Sequence, residues 1–142
     1  MILTDAGPLV ALIDRGERSH ARCVATLATV SLPMVTTWPV FTEAMYLLGR
    51  GGWRAQDLLW RLPRRGDLIF GALDGPWFER VYALMEQYRD VPMDLADATL
   101  IALAEQRSLK RVFTLDSDFQ MYRVCGRLRL DVIPSPSDTS PG

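Results

Sequence analysis

Four acids, Asp5, Glu43, Asp97 and Asp116, fall where the chain passes between extended apolar runs and helical stretches. Asp5 follows Met1–Thr4, Glu43 lies within 37–49, Asp97 within 94–105, and Asp116 directly after 111–115. In an open parallel sheet the carboxyl ends of the strands share one edge, so acids remote in sequence can converge there. Gathered carboxylates repel and raise one another's pKa, whereas a divalent cation inverts that logic. Their hard oxygen donors point to Mg²⁺ or Mn²⁺.

The elements that must position these acids can be read from the apolar pattern. Met1–Thr4 reads as a strand, and Gly7-Pro8 turns the chain into a helix over 8–14, with proline favourable at a first helical position. A second helix over 19–30, with Ser19 as a possible cap, precedes a strand over 32–36. Thr37-Trp38-Pro39 opens a third helix through about Leu48, which Gly49, Gly51 and Gly52 stop. Residues 53–62 read as helix, 68–73 as a short strand and 76–89 as an amphipathic helix. The stretch 94–105 is apolar almost all round and is expected to be a helix buried against the sheet. Strands over 112–115 and 130–133 close the series, with a short helical segment near 119–123 between them.

Strands alternating with helices imply an α/β fold: a mainly parallel central sheet covered on both faces, in three α/β/α layers. Right-handed crossovers bring the strand ends to a common edge. One domain over residues 1–133 is expected, followed by a frayed Pro- and Ser-rich tail at 134–142.

The 142 residues carry a net charge of -1, which gives no global attraction for a polyanion. A nucleic-acid partner would need a local basic surface and bridging metal, and Arg50, Arg54, Arg61, Arg64 and Arg65 are candidates for the surface. The alternative for those arginines is a solvated helix face. Cys23, Cys125 and the single histidine, His20, do not match a zinc pattern. No apolar run reaches the ~18 residues of a membrane span, and cytoplasmic residence is expected.

Each acid also has an ordinary explanation. Asp94, with Asp97 three residues on, suits a helix cap. Asp97 sits in a helix with little polar surface, where an unpaired charge is costly, so a metal ligand is favoured. Asp116 could cap the turn at Ser117, and Asp118 reads as a short-helix residue or a supporting acid. Asp5 has a weaker alternative, because Gly7 is better placed to cap the helix that Pro8 starts. Glu43 alone reads as a solvent-face residue. Capping accounts for single acids and gives no reason for several to meet at one edge.

With Asp5-Ala6-Gly7-Pro8-Leu9-Val10-Ala11-Leu12, Thr42-Glu43-Ala44, Asp94-Leu95-Ala96-Asp97-Ala98 and Thr114-Leu115-Asp116-Ser117-Asp118-Phe119, the chain resembles the PIN-domain family. More narrowly, it resembles the VapC-type toxin ribonucleases of toxin–antitoxin pairs. The resemblance implies a metal-dependent endoribonuclease using Mg²⁺ or Mn²⁺, with Asp5, Glu43, Asp97 and Asp116 as catalytic and metal-binding acids and Asp94 and Asp118 as auxiliaries. It also implies an RNA substrate, a cognate antitoxin and a homodimer. Many relatives carry a hydroxyl residue after the first aspartate, where this chain has Ala6, while Thr114 retains a hydroxyl near the fourth acid. Other readings are a catalytically silent PIN-like binding module and a housekeeping nuclease without an antitoxin. The segment 53–62, with Trp53 and Trp60 seven apart, is a candidate surface for the dimer or the antitoxin.

Overall fold

A computed structural model describes residues 1–136. Five short strands, β1 (Leu3–Thr4), β2 (Met34–Thr36), β3 (Leu68–Phe70), β4 (Arg111–Phe113) and β5 (Asp131–Ile133), form one sheet in the order β3-β2-β1-β4-β5. Every pairing is parallel, with Leu3 opposite both Val35 and Val112. β1, β2 and most of β4 are buried on both sides, which is why they read as continuous apolar runs rather than alternating ones.

Six α-helices are present among the described residues: α1 (Ala6–Ile13), α2 (His20–Leu27), α3 (Trp38–Leu48), α4 (Trp53–Arg64), α5 (Trp77–Gln87) and α6 (Leu95–Arg107). The first four pack on one another over one face of the sheet, and α5 packs with α6 over the other, as right-handed crossovers require. In α6 every residue from Ala96 to Ala104 is buried, Asp97 included. Leu100, Ile101 and Leu103 are fully buried there, each worth about 1.5–3 kcal/mol of transfer from water. Gly71, just past β3, lets α6 come this close: a Cβ there would overlap the methyl groups of Leu103.

Chain direction along the sheet reverses between β1 and β4, because the crossovers from β1 to β2 and β2 to β3 step one way and that from β3 to β4 returns past β1. That reversal opens a crevice at the carboxyl ends of β1 and β4. Asp5 follows β1 directly, and Asp116 stands three residues past β4.

The expected tail begins inside the packed structure. Pro134 is buried, and the Ser135 carbonyl accepts a hydrogen bond from Arg22 Nη2 at 2.9 Å. The rest of that segment, 137–142, lies outside the described residues. Cys23 and Cys125 are both free thiols, the former buried and the latter exposed. No helix among the described residues is long and apolar enough to cross a membrane.

Candidate metal centre

Asp5 is the N-cap of α1, contrary to the expectation that Gly7 would cap, and its Oδ1 accepts from the Ala6 amide at 2.8 Å. Its Oδ2 accepts from the Thr114 hydroxyl at 2.8 Å. The hydrogen bond absent at Ala6 is thus supplied from beyond β4. Thr114 serves Asp116 as well, since its Oγ1 accepts from the Asp116 amide at 3.0 Å. Asp116 then caps a 3₁₀ turn, Ser117–Gln120, by accepting from the Asp118 amide at 2.9 Å.

Asp97 enters from the opposite layer, on the first turn of α6. Asp94 caps that helix by accepting from the Asp97 amide at 2.8 Å. Asp97 Oδ2 accepts from the hydroxyl of the fully buried Tyr122 at 3.0 Å. Tyr122 lies in the stretch 119–123, whose helical reading assigns its hydroxyl no role; the 3₁₀ turn ends at Gln120 and Tyr122 follows it. Its ring is fixed edge-on by Tyr88 and Phe119.

Asp5, Asp97 and Asp116 each present a carboxylate oxygen within 4.8 Å of the other two. Two metal–oxygen bonds of about 2.0–2.6 Å span roughly 4–5 Å, so Asp5, Asp97 and Asp116 stand close enough to hold one divalent ion between them. Asp5 and Asp97 are each only 7% exposed, and desolvation is the main reason both carboxyls titrate above their usual range. Asp97 is pushed up to about 8, by burial first and then by the charges of Asp94 and Asp5. Buried acids raising one another in this way fit a cation, which would relieve both causes at once.

Glu43 lies outside this group of three. It projects from α3 at the exposed rim, and desolvation against the cleft wall, followed by the charges of Asp94, Asp5 and Asp116, raises its pKa. Asp94 joins the same field while capping α6, and Asp118 occupies the first turn of the 3₁₀ segment.

The expected arginine track lies elsewhere. Arg50 shares a hollow with Ile13 and Leu48 at the carboxyl ends of α1 and α3, and Arg54 and Arg61 flank Ile13 and Arg15. Arg65 pairs with Asp67 at 3.1 Å, just before β3 begins. These positions belong to the opposite end of the sheet from the acids. A cation beside the centre is instead Arg22 of α2, which lines a cavity of about 120 Å³ together with Thr114, Asp116 and Ser117. No spacing in the sequence marks it. Trp60 packs edge-on against Phe41, while Trp53 is 68% exposed, so of the two only Trp53 remains open to a partner. His20 hydrogen-bonds the Ala11 carbonyl at 2.7 Å, away from the acids.

An acidic crevice at the switch point of a five-stranded parallel sheet defines the class, and comparison with known proteins supplies the family. The PIN domain family model matches residues 2–125, and the chain belongs to that family. Its fold is similar to that of VapC20 of Mycobacterium tuberculosis, described as a toxin that cleaves the sarcin–ricin loop. There the TM-score is 0.78 at 19% identity, over 85% of this chain and 94% of the other. It is also similar to a chain of a toxin–antitoxin complex from Klebsiella pneumoniae, with a TM-score of 0.63 at 21% identity, over 84% and 90% of the two chains. A third similar structure is FitAcB from Neisseria gonorrhoeae, with a TM-score of 0.58 at 22% identity, over 82% and 88%. No curated protein matches the sequence.

Proposed function

We propose that this chain is a metal-dependent endoribonuclease and the toxin of a type II toxin–antitoxin pair. The observation that carries the proposal is the convergence of Asp5, Asp97 and Asp116, with oxygens within 4.8 Å of one another, in a chain of the PIN family. Structural similarity to VapC20 and to toxin–antitoxin complexes supports the biological role. The catalytic unit is the single domain, which includes the packed residues Pro134 and Ser135 beyond the expected boundary at 133.

Asp5, Asp97 and Asp116 would hold Mg²⁺ or Mn²⁺, with Glu43 completing the acidic rim. When bound, such an ion lowers the pKa of a water and neutralises charge on the phosphodiester. Thr114 and Tyr122 keep the carboxylates aimed at the centre by hydrogen-bonding one oxygen of Asp5 and one of Asp97. Glu43, exposed at the rim with its pKa raised by desolvation and by the neighbouring acids, would exchange a proton with the strand being cut. The protein is cytoplasmic in this reading, acts as a homodimer, and is silenced by an antitoxin whose basic side chain competes for the carboxylates.

Purified protein incubated with total RNA and Mn²⁺ is expected to give discrete fragments. EDTA is expected to stop cleavage, as is Asp5→Asn in a protein whose circular dichroism matches wild type. Undiminished cutting by Asp5→Asn, or in EDTA, would remove the metal-centred mechanism.

A further inference from the structure

Trp38 is the first residue of α3 and stands at the carboxyl edge of β2. One face of its indole lies on Phe70, with ring centroids 4.0 Å apart and planes 5° from parallel. Phe41 meets Trp38 and Phe70 edge-on, at 5.8 and 5.0 Å, and Trp60 backs Phe41 at 5.0 Å. Despite this support Trp38 remains 54% exposed. A large aromatic held rigidly from behind and bare in front is already ordered for stacking, so a ligand would not have to immobilise it.

The indole borders a cavity of about 290 Å³ with Thr37, Phe70, Leu73 and Thr99. Thr99 Oγ1 donates to the Ala96 carbonyl at 2.7 Å, so the proton in its 2.7 Å contact with Thr37 belongs to Thr37. The Thr37 oxygen is left with acceptor capacity on the cavity wall. The cavity is small for a ligand cleft, for which roughly 300–1,000 Å³ is usual, and its aromatic wall meets a polar corner. A flat heteroaromatic ring carrying N–H groups suits both features better than an apolar helix, which needs an extended groove.

Position supplies the link to the carboxylates. β2 neighbours β1 and β3 neighbours β2. At about 4.8 Å per strand, the Trp38–Phe70 stack stands roughly one to two strand spacings from Asp5 along the same edge.

We propose that the open face of Trp38 is a shelf on which one unpaired nucleobase of the RNA stacks, next to the nucleotide whose phosphate meets the acidic centre. The proposal rests on the nuclease reading above and adds a specificity subsite to it. Base–aromatic stacking tolerates every base and is worth about ten-fold or more in affinity. The shelf therefore selects for a single-stranded, splayed conformation more than for sequence.

The test uses the full chain and a fluorescein-labelled single-stranded RNA oligonucleotide. Binding is read by anisotropy in Ca²⁺, and cleavage is followed separately in Mn²⁺. Trp38→Leu keeps apolar packing against Phe70 and removes the indole face, and is expected to weaken binding and raise KM about ten-fold. Trp38→Phe restores a ring and is expected to recover most of that loss. Replacing single nucleotides with abasic sites should weaken wild-type binding at one position, and the same replacement should have no effect in Trp38→Leu. A merely structural tryptophan would not produce that coupling. RNA affinity equal to wild type in folded Trp38→Leu would overturn the proposal and make the stack a protein contact, as would an abasic penalty identical in both proteins. Failure of the nuclease reading is seen separately, as no Mn²⁺-dependent cleavage while the Trp38-dependent abasic effect persists.

Discussion

Replacing Asp97 by Asn should stabilise the metal-free protein while abolishing its activity. The Asp97 carboxyl is buried in α6, faces Asp94 and Asp5, and titrates near 8 instead of 3.8. Between those values the folded state holds a proton that the unfolded chain has released, so stability falls as pH rises through this window and levels off above it. One such group costs about 1.4 kcal/mol per pH unit, or ~4 kcal/mol from pH 5 to 8. The acids open on one side to a solvated crevice, and halving the figure for that screening leaves ~2 kcal/mol. Asn has the same shape, keeps an oxygen to accept from Tyr122, and carries no charge. In EDTA at pH 8, Asp97→Asn should therefore melt roughly 6–8 °C above wild type, and at pH 5 the two should nearly coincide. Scanning calorimetry across pH, with and without Mn²⁺, checks this. Added metal should raise the wild-type midpoint and leave the variant's almost unchanged. A wild-type midpoint flat from pH 5 to 8 in EDTA, or a variant melting below wild type at pH 8, would refute the electrostatic account of the crevice.

Substitutions at three further positions probe the supports of the centre and of α6. Tyr122→Phe deletes the donor to Asp97 Oδ2 and should cost about 1.5–3 kcal/mol in urea denaturation, with weaker Mn²⁺ binding by titration calorimetry. Thr114→Val removes the donor to Asp5 and strands the Asp116 amide, so cleavage should fall and stability drop by ~1–3 kcal/mol, while Thr114→Ser should behave as wild type. Gly71→Ala drives a methyl into Leu103 and should lower stability by about 1–3 kcal/mol; an unchanged denaturation midpoint would mean that α6 shifts freely.

The order of strands and helices was legible because the strands are apolar and Gly or Pro marks most of the connections, the link from α6 to β4 excepted. Strand ends were less so. The runs 32–36, 68–73 and 111–115 look extended throughout, yet only Met34–Thr36, Leu68–Phe70 and Arg111–Phe113 are paired. The residues just past the last pairs close the ladders, the Gly71 amide donating to the Thr36 carbonyl at 2.8 Å and the Thr114 amide to the Ile133 carbonyl at 3.0 Å, and they stand with Asp116 at the carboxyl edge. The arginine track failed for a geometrical reason. Helix α3 starts beside the acids, but its 11 residues carry the chain about 16 Å away, so Arg50 and Arg54 emerge at the far end. Their clustering in the sequence carried no information about which edge they would reach. Arg22 and Tyr122 fall in stretches that read as helical, 19–30 and 119–123, but that pattern gave neither a role, because their roles come from tertiary approach of α2 and of the segment before β5.

Capping and metal binding looked like competing explanations for these acids, and the geometry makes them compatible. A carboxylate has two oxygens and about four lone-pair sites, so one amide bond leaves ample capacity. Asp5, Asp94 and Asp116 each use an oxygen to hold the start of a helical turn, and Asp5 and Asp116 still present an oxygen to the shared centre. The cap fixes the backbone from which the carboxylate points. The helix end returns partial positive charge that offsets some of the crowding, within the first turn where it acts most strongly. At the crevice the same contacts that begin α1 and α6 thus orient and partly neutralise the acids. Removing a cap oxygen there should disturb fold and metal affinity together, and removing only the charge, as in Asp97→Asn, should separate them.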